Sequence, residues 1–215
     1  MIELTALNRQ ECIRYLGGAR VEMNPQMEEL LNICEKEIID SAQPKFLYKE
    51  VTLADSPFLL QGEDIQSHLK GCDKAVLICA TVGLSVDNLI RRTQISNMAK
   101  AVVLDSFASV AVEQVCEKCD LLIASKYPNK HLTFRFSPGY GDYPIELQKR
   151  FLDILDAQRK IGLCTNDSFL LTPTKSVTAI MGISDKEIEQ KKRGCAICTL
   201  RGECRYRKAG THCGF

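Results

Sequence analysis

The sequence predicts an α+β domain, in which a mixed or antiparallel twisted sheet is flanked by helices and followed by a short cysteine-rich C-terminal tail. A continuous apolar run over residues 74–83 is typical of a central strand that is buried on both faces. A long helical pattern follows at about residues 95–119, and residues 131–136 alternate as a strand does. Because these elements lack the strict alternation of a doubly wound fold, we expect the α+β class.

The sequence of the N-terminal third predicts two helices, then one strand and then a short helix. Asn8 can cap a short helix that the Gly17-Gly18 pair ends, and Asn24-Pro25 can start a longer helix that reaches about Ser41. Residues 46–53 are typical of a strand, and a short helix follows near residues 64–69. His68 lies in that short helix, and we expect it to be exposed, as histidine often is.

The middle of the chain predicts a helix from Ser85 and then the long helix. Asp105 and Glu113 of the long helix are eight residues apart, so they lie within about 80° of each other around its axis. Cys116-x-x-Cys119 near its end could be a redox or metal pair. With no second pair nearby, we expect buried thiols instead.

A loop rich in proline and glycine joins the strand at 131–136 to a helix at about 145–161. Two prolines and two glycines in residues 138–144 fix its path, because proline restricts φ and glycine accepts positive φ and lets a ligand approach the backbone. Arg135 offers a planar set of donors to a carboxylate or phosphate, and Tyr140 and Tyr143 offer flat faces. The alternative is an ordinary connection with a solvated arginine.

The last part of the domain predicts two more strands, at residues 168–171 and 176–181, which we expect to pair with each other.

Composition limits the classes of function. A chain of 215 residues that is 45% hydrophobic can bury one good core, and its net charge of +1 does not favour nucleic acid as a partner. It has neither an apolar run long enough for a membrane span nor the profile of a secretory signal. We therefore expect a cytoplasmic protein whose internal cysteines are reduced.

Two motifs resemble a known family. Arg-x-x-x-Gly-Tyr-x-x-x-Pro, at residues 135–144, resembles the S-adenosylmethionine-binding motif in the activation (reactivation) domain of cobalamin-dependent methionine synthase. Residues 165–177 resemble the family's Thr-Glu-Ser-Phe, Pro and Ser-Val segment and follow in the right order. The resemblance covers about residues 70–183, and residues 1–70 match only weakly.

The resemblance implies a ligand site for S-adenosylmethionine. Arg135 would hold the methionine carboxylate, Pro138 and Gly139 would face the polar edges of the ligand, and Tyr140 would pack on it. The family's corresponding helix places a glutamate near the ligand, roughly where Glu113 falls, although a solvated helix acid is the alternative. Ser176, in the second motif, completes the predicted set.

Four cysteines end the chain, at Cys195, Cys198, Cys204 and Cys213, among basic residues and glycines. Few core-forming side chains accompany them, so we expect a metal site, either an iron–sulfur cluster or zinc. This predicts an activation-domain-like unit at residues 1–183 and a metal-binding tail at residues 184–215.

The sequence supports two functional hypotheses. In the first, the chain is a stand-alone activation module in methionine biosynthesis, which serves the methyltransferase reaction of a partner. It binds S-adenosylmethionine for the reductive methylation of cob(II)alamin carried by a methionine synthase or another corrinoid protein, with an electron donor. In the second, it is a non-catalytic small-molecule-binding or assembly module with a structural zinc tail. An independent methyltransferase is disfavoured, because no Gly-x-Gly-x-Gly-like loop follows a first strand.

Overall fold

The computed structural model of the chain describes residues 2–18, 21–188 and 202. In chain order its elements are α1 (Arg9–Leu16), α2 (Pro25–Ser41), β1 (Lys45–Thr52), a 3₁₀ turn (Pro57–Leu60), α3 (Glu63–His68), β2 (Lys74–Thr81), α4 (Leu84–Ser96), α5 (Met98–Lys126), β3 (His131–Leu132), α6 (Leu147–Leu155), α7 (Ala157–Ile161), β4 (Cys164–Thr165), β5 (Leu171–Thr172) and β6 (Ser176–Ser184). The α+β class predicted from the sequence is confirmed.

An antiparallel sheet of order β1-β2-β6-β3 forms the middle layer. Strand β2 is central and almost wholly buried, as the apolar run predicted. Its alternate residues face two helical layers, with Val76 and Ile78 packed beside α5 and Leu77 and Cys79 packed beside α6. The core therefore lies on both faces of the sheet.

The predicted caps form where the sequence placed them. The side chain of Asn8 accepts from the Glu11 N–H, and that of Asn24 accepts from the Met27 N–H. Asn97 caps α5 by accepting from the Lys100 N–H at 2.9 Å. The long helix consequently begins at Met98 rather than near residue 95, and it continues to Lys126.

The second half of the fold differs from two predictions. The helix expected at residues 145–161 is divided into α6 and α7, because Asp156 takes a left-handed conformation with φ of 54°. The expected pairing of residues 168–171 with 176–181 is wrong. Strand β6 pairs with β2 instead, and β5 pairs with β4 in a separate two-stranded sheet.

No helix in the described part of the chain combines the length and the apolarity needed to cross a membrane.

Candidate functional site

A β-bulge sets the direction of Arg135. Leu132 is opposite Ile183, whereas Phe136 is opposite Ile180, so the register between the two segments changes by one residue. Two residues, Phe134 and Arg135, are therefore both opposite Met181. Bulges of this kind change the direction in which a side chain points, and this one contributes to the turn of Arg135 towards α5. The predicted strand at 131–136 is consequently short and irregular.

His68 supports this bulge from the other face of the sheet. Its Nε2 lies 2.9 Å from the Phe134 carbonyl oxygen, which only accepts, so the ring nitrogen donates. The imidazole also packs against the rings of Phe134 and Phe136, at centroid distances of 4.4 and 5.0 Å. The prediction that His68 is exposed is therefore wrong, since only 6% of its surface is accessible.

Arg135 is held between two carboxylates of α5. Its Nε donates to Asp120 Oδ2 at 2.9 Å, and its Nη2 donates to Glu113 Oε2 at 3.2 Å. The arginine side chain is 19% exposed, compared with 32% for Asp120 and 46% for Glu113. The alternative of a solvated arginine is thus excluded, and two predicted site residues, Arg135 and Glu113, lie in direct contact.

The charge of this cluster is negative overall, because one guanidinium faces two carboxylates. Burial lowers the pKa of Arg135, but the attraction of the Asp120 and Glu113 carboxylates raises it, and the net shift is upward. The arginine is therefore a permanent cation, and the excess charge of −1 favours a ligand that carries a positive group.

The loop after Arg135 exposes part of the predicted motif. Gly139 has φ of 92° and donates its N–H to the Tyr143 carbonyl at 2.8 Å. Tyr140 is 68% exposed, so its ring is free to pack on a ligand, whereas Pro138 is buried. Tyr143 was predicted to offer a flat face to a ligand. Instead it is 1% exposed and packs against Phe136 and Phe151.

Helix α3 braces the same loop. The Asp142 carboxylate accepts from the Glu63 and Asp64 N–H groups at 2.5 and 3.1 Å, which fixes the loop to the first turn of α3. Gly141 has φ of 55°, and a Cβ there would lie 2.1 Å from Asp64 Oδ2. This glycine therefore permits a close contact with Asp64, rather than the approach of a ligand.

Ser176 does not join the Arg135 cluster. Its hydroxyl lies 2.7 Å from the Pro173 carbonyl and 2.8 Å from the Thr81 hydroxyl, so it donates to the first and accepts from the second. Ile180, which bridges to Phe136, is four residues along β6, or about 13 Å away. Ser176 thus fixes the start of β6 in this structure.

The predicted metal ligands Cys195, Cys198, Cys204 and Cys213 lie outside the described residues. Within those residues, no group of three or more histidine, cysteine or acidic side chains is arranged to hold a metal ion. Cys116 and Cys119 are fully buried free thiols, as expected.

Two surface hollows lie away from this cluster. One of about 580 Å³ is lined by Leu53, Pro57 and Cys72, and one of about 500 Å³ is lined by Lys149, Asp156 and Cys164.

Sequence reasoning missed two residues of the site, Asp120 and His68. Asp120 is seven residues after Glu113, which places it on almost the same side of α5, so helical spacing could have found it. His68 had no such signal, since its partner is a carbonyl of a bulge 66 residues away.

Comparisons with known proteins give one similar structure to describe. No protein-family model matches the chain, and no curated protein matches it. Among solved structures, the chain is similar to the MetH reactivation domain bound to AdoHcy, with a TM-score of 0.48 and 18% sequence identity. The similarity covers 66% of this chain and 48% of that one, so this chain spans about half the length of the structure it matches.

Proposed function

We propose that this chain binds S-adenosylmethionine at Arg135 and presents it to cob(II)alamin on a partner, either a cobalamin-dependent methionine synthase or another corrinoid protein. The observation that carries the proposal is the position of Arg135. It opens the Arg-x-x-x-Gly-Tyr-x-x-x-Pro loop, is directed by a bulge, and contacts Asp120 and Glu113. The motif supplies the resemblance, and the geometry supplies a cation that is fixed by two carboxylates. The same motif carries an exposed aromatic ring at Tyr140.

The cluster has complementary groups for the amino-acid end of this ligand. Among the described residues, the bonds to Asp120 and Glu113 use one hydrogen on Nε and one on Nη2, which leaves three of the five guanidinium hydrogens for a carboxylate. Glu113 is the more exposed acid and forms the longer bond, so it can turn to the ligand's ammonium or sulfonium group. Asp120 would keep Arg135 in place during this exchange.

The reaction is a methyl transfer that follows a one-electron reduction. An external electron donor would supply one electron to the partner's cob(II)alamin, and the reduced corrinoid would supply the electron pair that accepts the sulfonium methyl group. The carbon–sulfur bond breaks, its electrons stay on sulfur, and S-adenosylhomocysteine leaves. The contribution of the chain is to hold the methyl group in line. The exposed Tyr140 and the half-exposed Glu113 leave this side accessible to the partner's corrinoid.

Calorimetric titration tests ligand binding. Arg135→Ala should weaken S-adenosylmethionine binding by about 2–4 kcal/mol, as expected for the loss of a partly buried charged partner. Arg135→Lys should restore only part of this, because an ammonium cannot form paired bonds to a carboxylate. Arg159→Ala, at an arginine that is 79% exposed beside Asp156, is the matched control. Equal affinity for wild type and Arg135→Ala would contradict the assignment.

A second experiment tests the partner. A cobalamin-loaded methionine synthase that lacks its own activation domain is mixed with this chain, S-adenosylmethionine and a chemical reductant. We expect methylcobalamin to form with the wild-type chain and far more slowly with Arg135→Ala. If wild-type chain binds the ligand but gives no methylcobalamin with this corrinoid protein, the proposed transfer to methionine synthase is wrong.

A further inference from the structure

A second ion pair lies on the same side of α5 as the Arg135 cluster. Lys175 Nζ is 2.9 Å from Asp105 Oδ1 and 2.9 Å from the Ser109 hydroxyl oxygen. The lysine side chain is 14% exposed, whereas that of Asp105 is 54% exposed. A largely buried cation therefore holds one oxygen of a carboxylate whose surface is mostly open.

The lysine is fixed by its backbone as well. Its carbonyl accepts from the Val82 N–H at 3.2 Å, and the preceding Thr174 N–H donates to Asp87 Oδ2 at 2.6 Å. Such anchoring lowers the conformational-entropy cost of holding Asp105 in one position, because the backbone of Lys175 is already ordered. The pair is thus more rigid than an ordinary surface ion pair.

The two clusters share one side of the helix, which we call the polar stripe of α5 and define as Asp105, Ser109, Glu113 and Asp120. At 100° per residue these four positions fall within about 80°. Eight residues separate Asp105 from Glu113, which is about 12 Å along the axis. The stripe therefore carries two polar sites at a fixed spacing.

This spacing suits a ligand with an amino acid at one end and a ribose at the other. In S-adenosylmethionine, eight bonds separate the carboxylate carbon from the 3′ oxygen. An extended chain of eight bonds of about 1.5 Å spans on the order of 10 Å. Arg135 bonds both Glu113 and Asp120, which are about 12 and 22 Å along the axis from Asp105. A carboxylate bound at the Glu113 end of the guanidinium, with a hydrogen bond of about 3 Å at each end of the ligand, therefore lets the ribose reach Asp105.

We propose that Asp105, positioned by Lys175, binds the ribose hydroxyl groups of the ligand, and so selects nucleosides that carry a 2′,3′-diol. This rests on the proposed function, since it assumes that the amino-acid end lies at Arg135. A carboxylate is an acceptor with two oxygens, and a vicinal diol supplies two donors. With Oδ1 bound by Lys175, Asp105 presents Oδ2 and the second lone pair of Oδ1 to the sugar.

Titration of Asp105→Asn tests this role against a structural one. S-adenosylmethionine and S-methylmethionine share the amino acid and the sulfonium, but only the first has a ribose. We expect Asp105→Asn to bind S-adenosylmethionine about fivefold to tenfold more weakly and S-methylmethionine with unchanged affinity. Glu29→Gln, which removes an exposed acid on α2, is the control and should change neither.

Wild-type protein with modified ligands gives a second measurement that does not depend on the variant's folding. The 2′-deoxy and 3′-deoxy forms of S-adenosylmethionine should bind more weakly to wild type, and the difference should shrink in Asp105→Asn. If Asp105→Asn loses the same affinity for S-adenosylmethionine and for S-methylmethionine, or loses affinity for neither, the role of Asp105 is overturned while the proposed function stays intact. A wild-type chain that does not bind S-adenosylmethionine at all would overturn both.

Discussion

Arg135 lies beside two carboxylates of α5, and this fixes the charge that a ligand meets. S-adenosylmethionine has one more positive charge than S-adenosylhomocysteine, because its sulfur is a sulfonium. A cluster with a net charge of −1 should therefore bind the methyl donor more tightly than the demethylated product. Such a preference would help product to leave after each transfer.

Glu113→Gln should reduce this preference. The side chain of Glu113 is 46% exposed, so its attraction to the sulfonium is screened, and we expect the ratio of the two affinities to fall by about threefold to tenfold. Calorimetry with both ligands measures the ratio, and Glu29→Gln on α2 again serves as the control. An unchanged ratio in Glu113→Gln would show that Glu113 does not contact the charged end.

The sequence was informative about this site where a motif or a family resemblance pointed to single residues. The resemblance named Arg135 and Glu113, which lie 3.2 Å apart although they are 22 residues apart in sequence, and the loop glycine at 139 has the expected positive φ. The burial of Tyr143 and His68 was not predictable in this way, because each depends on aromatic residues brought from other elements. The role of Ser176 as a ligand residue stays a prediction, and in this structure its hydroxyl holds the start of β6.

At the scale of elements, α3 and the turn after it pack closely on β6 at Gly182. A Cβ at this position would lie 2.6 Å from the Cys72 sulfur and 2.9 Å from a Leu69 methyl carbon. The Gly182 N–H also donates a hydrogen bond to the Thr133 hydroxyl oxygen at 2.8 Å, next to the bulge. The packing of α3 and the direction of Arg135 are therefore linked through one residue of β6.

Gly182→Ala should lower the free energy of unfolding by about 1–3 kcal/mol, the usual range for an overpacked core. Adding Cys72→Ala removes the closest clashing atom, so the double variant should recover part of this loss. Denaturant unfolding of the two single variants and the double variant measures the coupling. Strict additivity of the two changes would show that the sulfur does not limit this contact.

Helices were predicted better than strand pairing, because helix signals lie within a few residues of each other, whereas paired strands can be far apart in sequence. The predicted caps at Asn8 and Asn24 accept from N–H groups three residues later, so they depend on nearby sequence. The cap at Asn97 was not predicted, and the start of α5 was placed three residues too early. The pairing of β6 with β2 joins residues about 100 positions apart, and no local pattern identifies that partner. The break at Asp156 was missed because aspartate rarely takes a left-handed conformation.

At the scale of the whole molecule, both helical layers and the sheet bury reduced thiols. Cys12 and Cys34 lie in the core beside α5, and Cys79 of β2 lies in the core beside α6. The predicted division at residues 183 and 184 remains a prediction, although β6 itself runs through Ser184. In the described fold, the sheet thus lies between two helical layers, and these buried cysteines lie in the cores on both of its faces.

Burial raises the pKa of these thiols, to about 12 for Cys12, about 11 for Cys34 and about 12 for Cys79, from a usual value of 9.0. The folded state therefore holds these protons more tightly than the unfolded state does. The resulting stability is fully present below pH 9 and is lost as the pH rises towards 11 or 12. We expect the free energy of unfolding to fall steeply above pH 9.

Cys79→Ala should make this fall shallower. One thiol with a pKa raised from 9.0 to about 12 loses about 1 kcal/mol of its contribution by pH 10, because the unfolded state releases its proton first. Denaturant unfolding at pH 7, 9 and 10 in a strong reductant gives the slope for wild type, for Cys79→Ala and for Val76→Ala. Val76 is buried in the same strand but does not titrate, so its variant should be less stable at every pH while keeping the wild-type slope. A slope in Cys79→Ala that equals that of Val76→Ala would mean that the buried thiol does not govern alkaline stability, and that the loss comes from other groups of the fold.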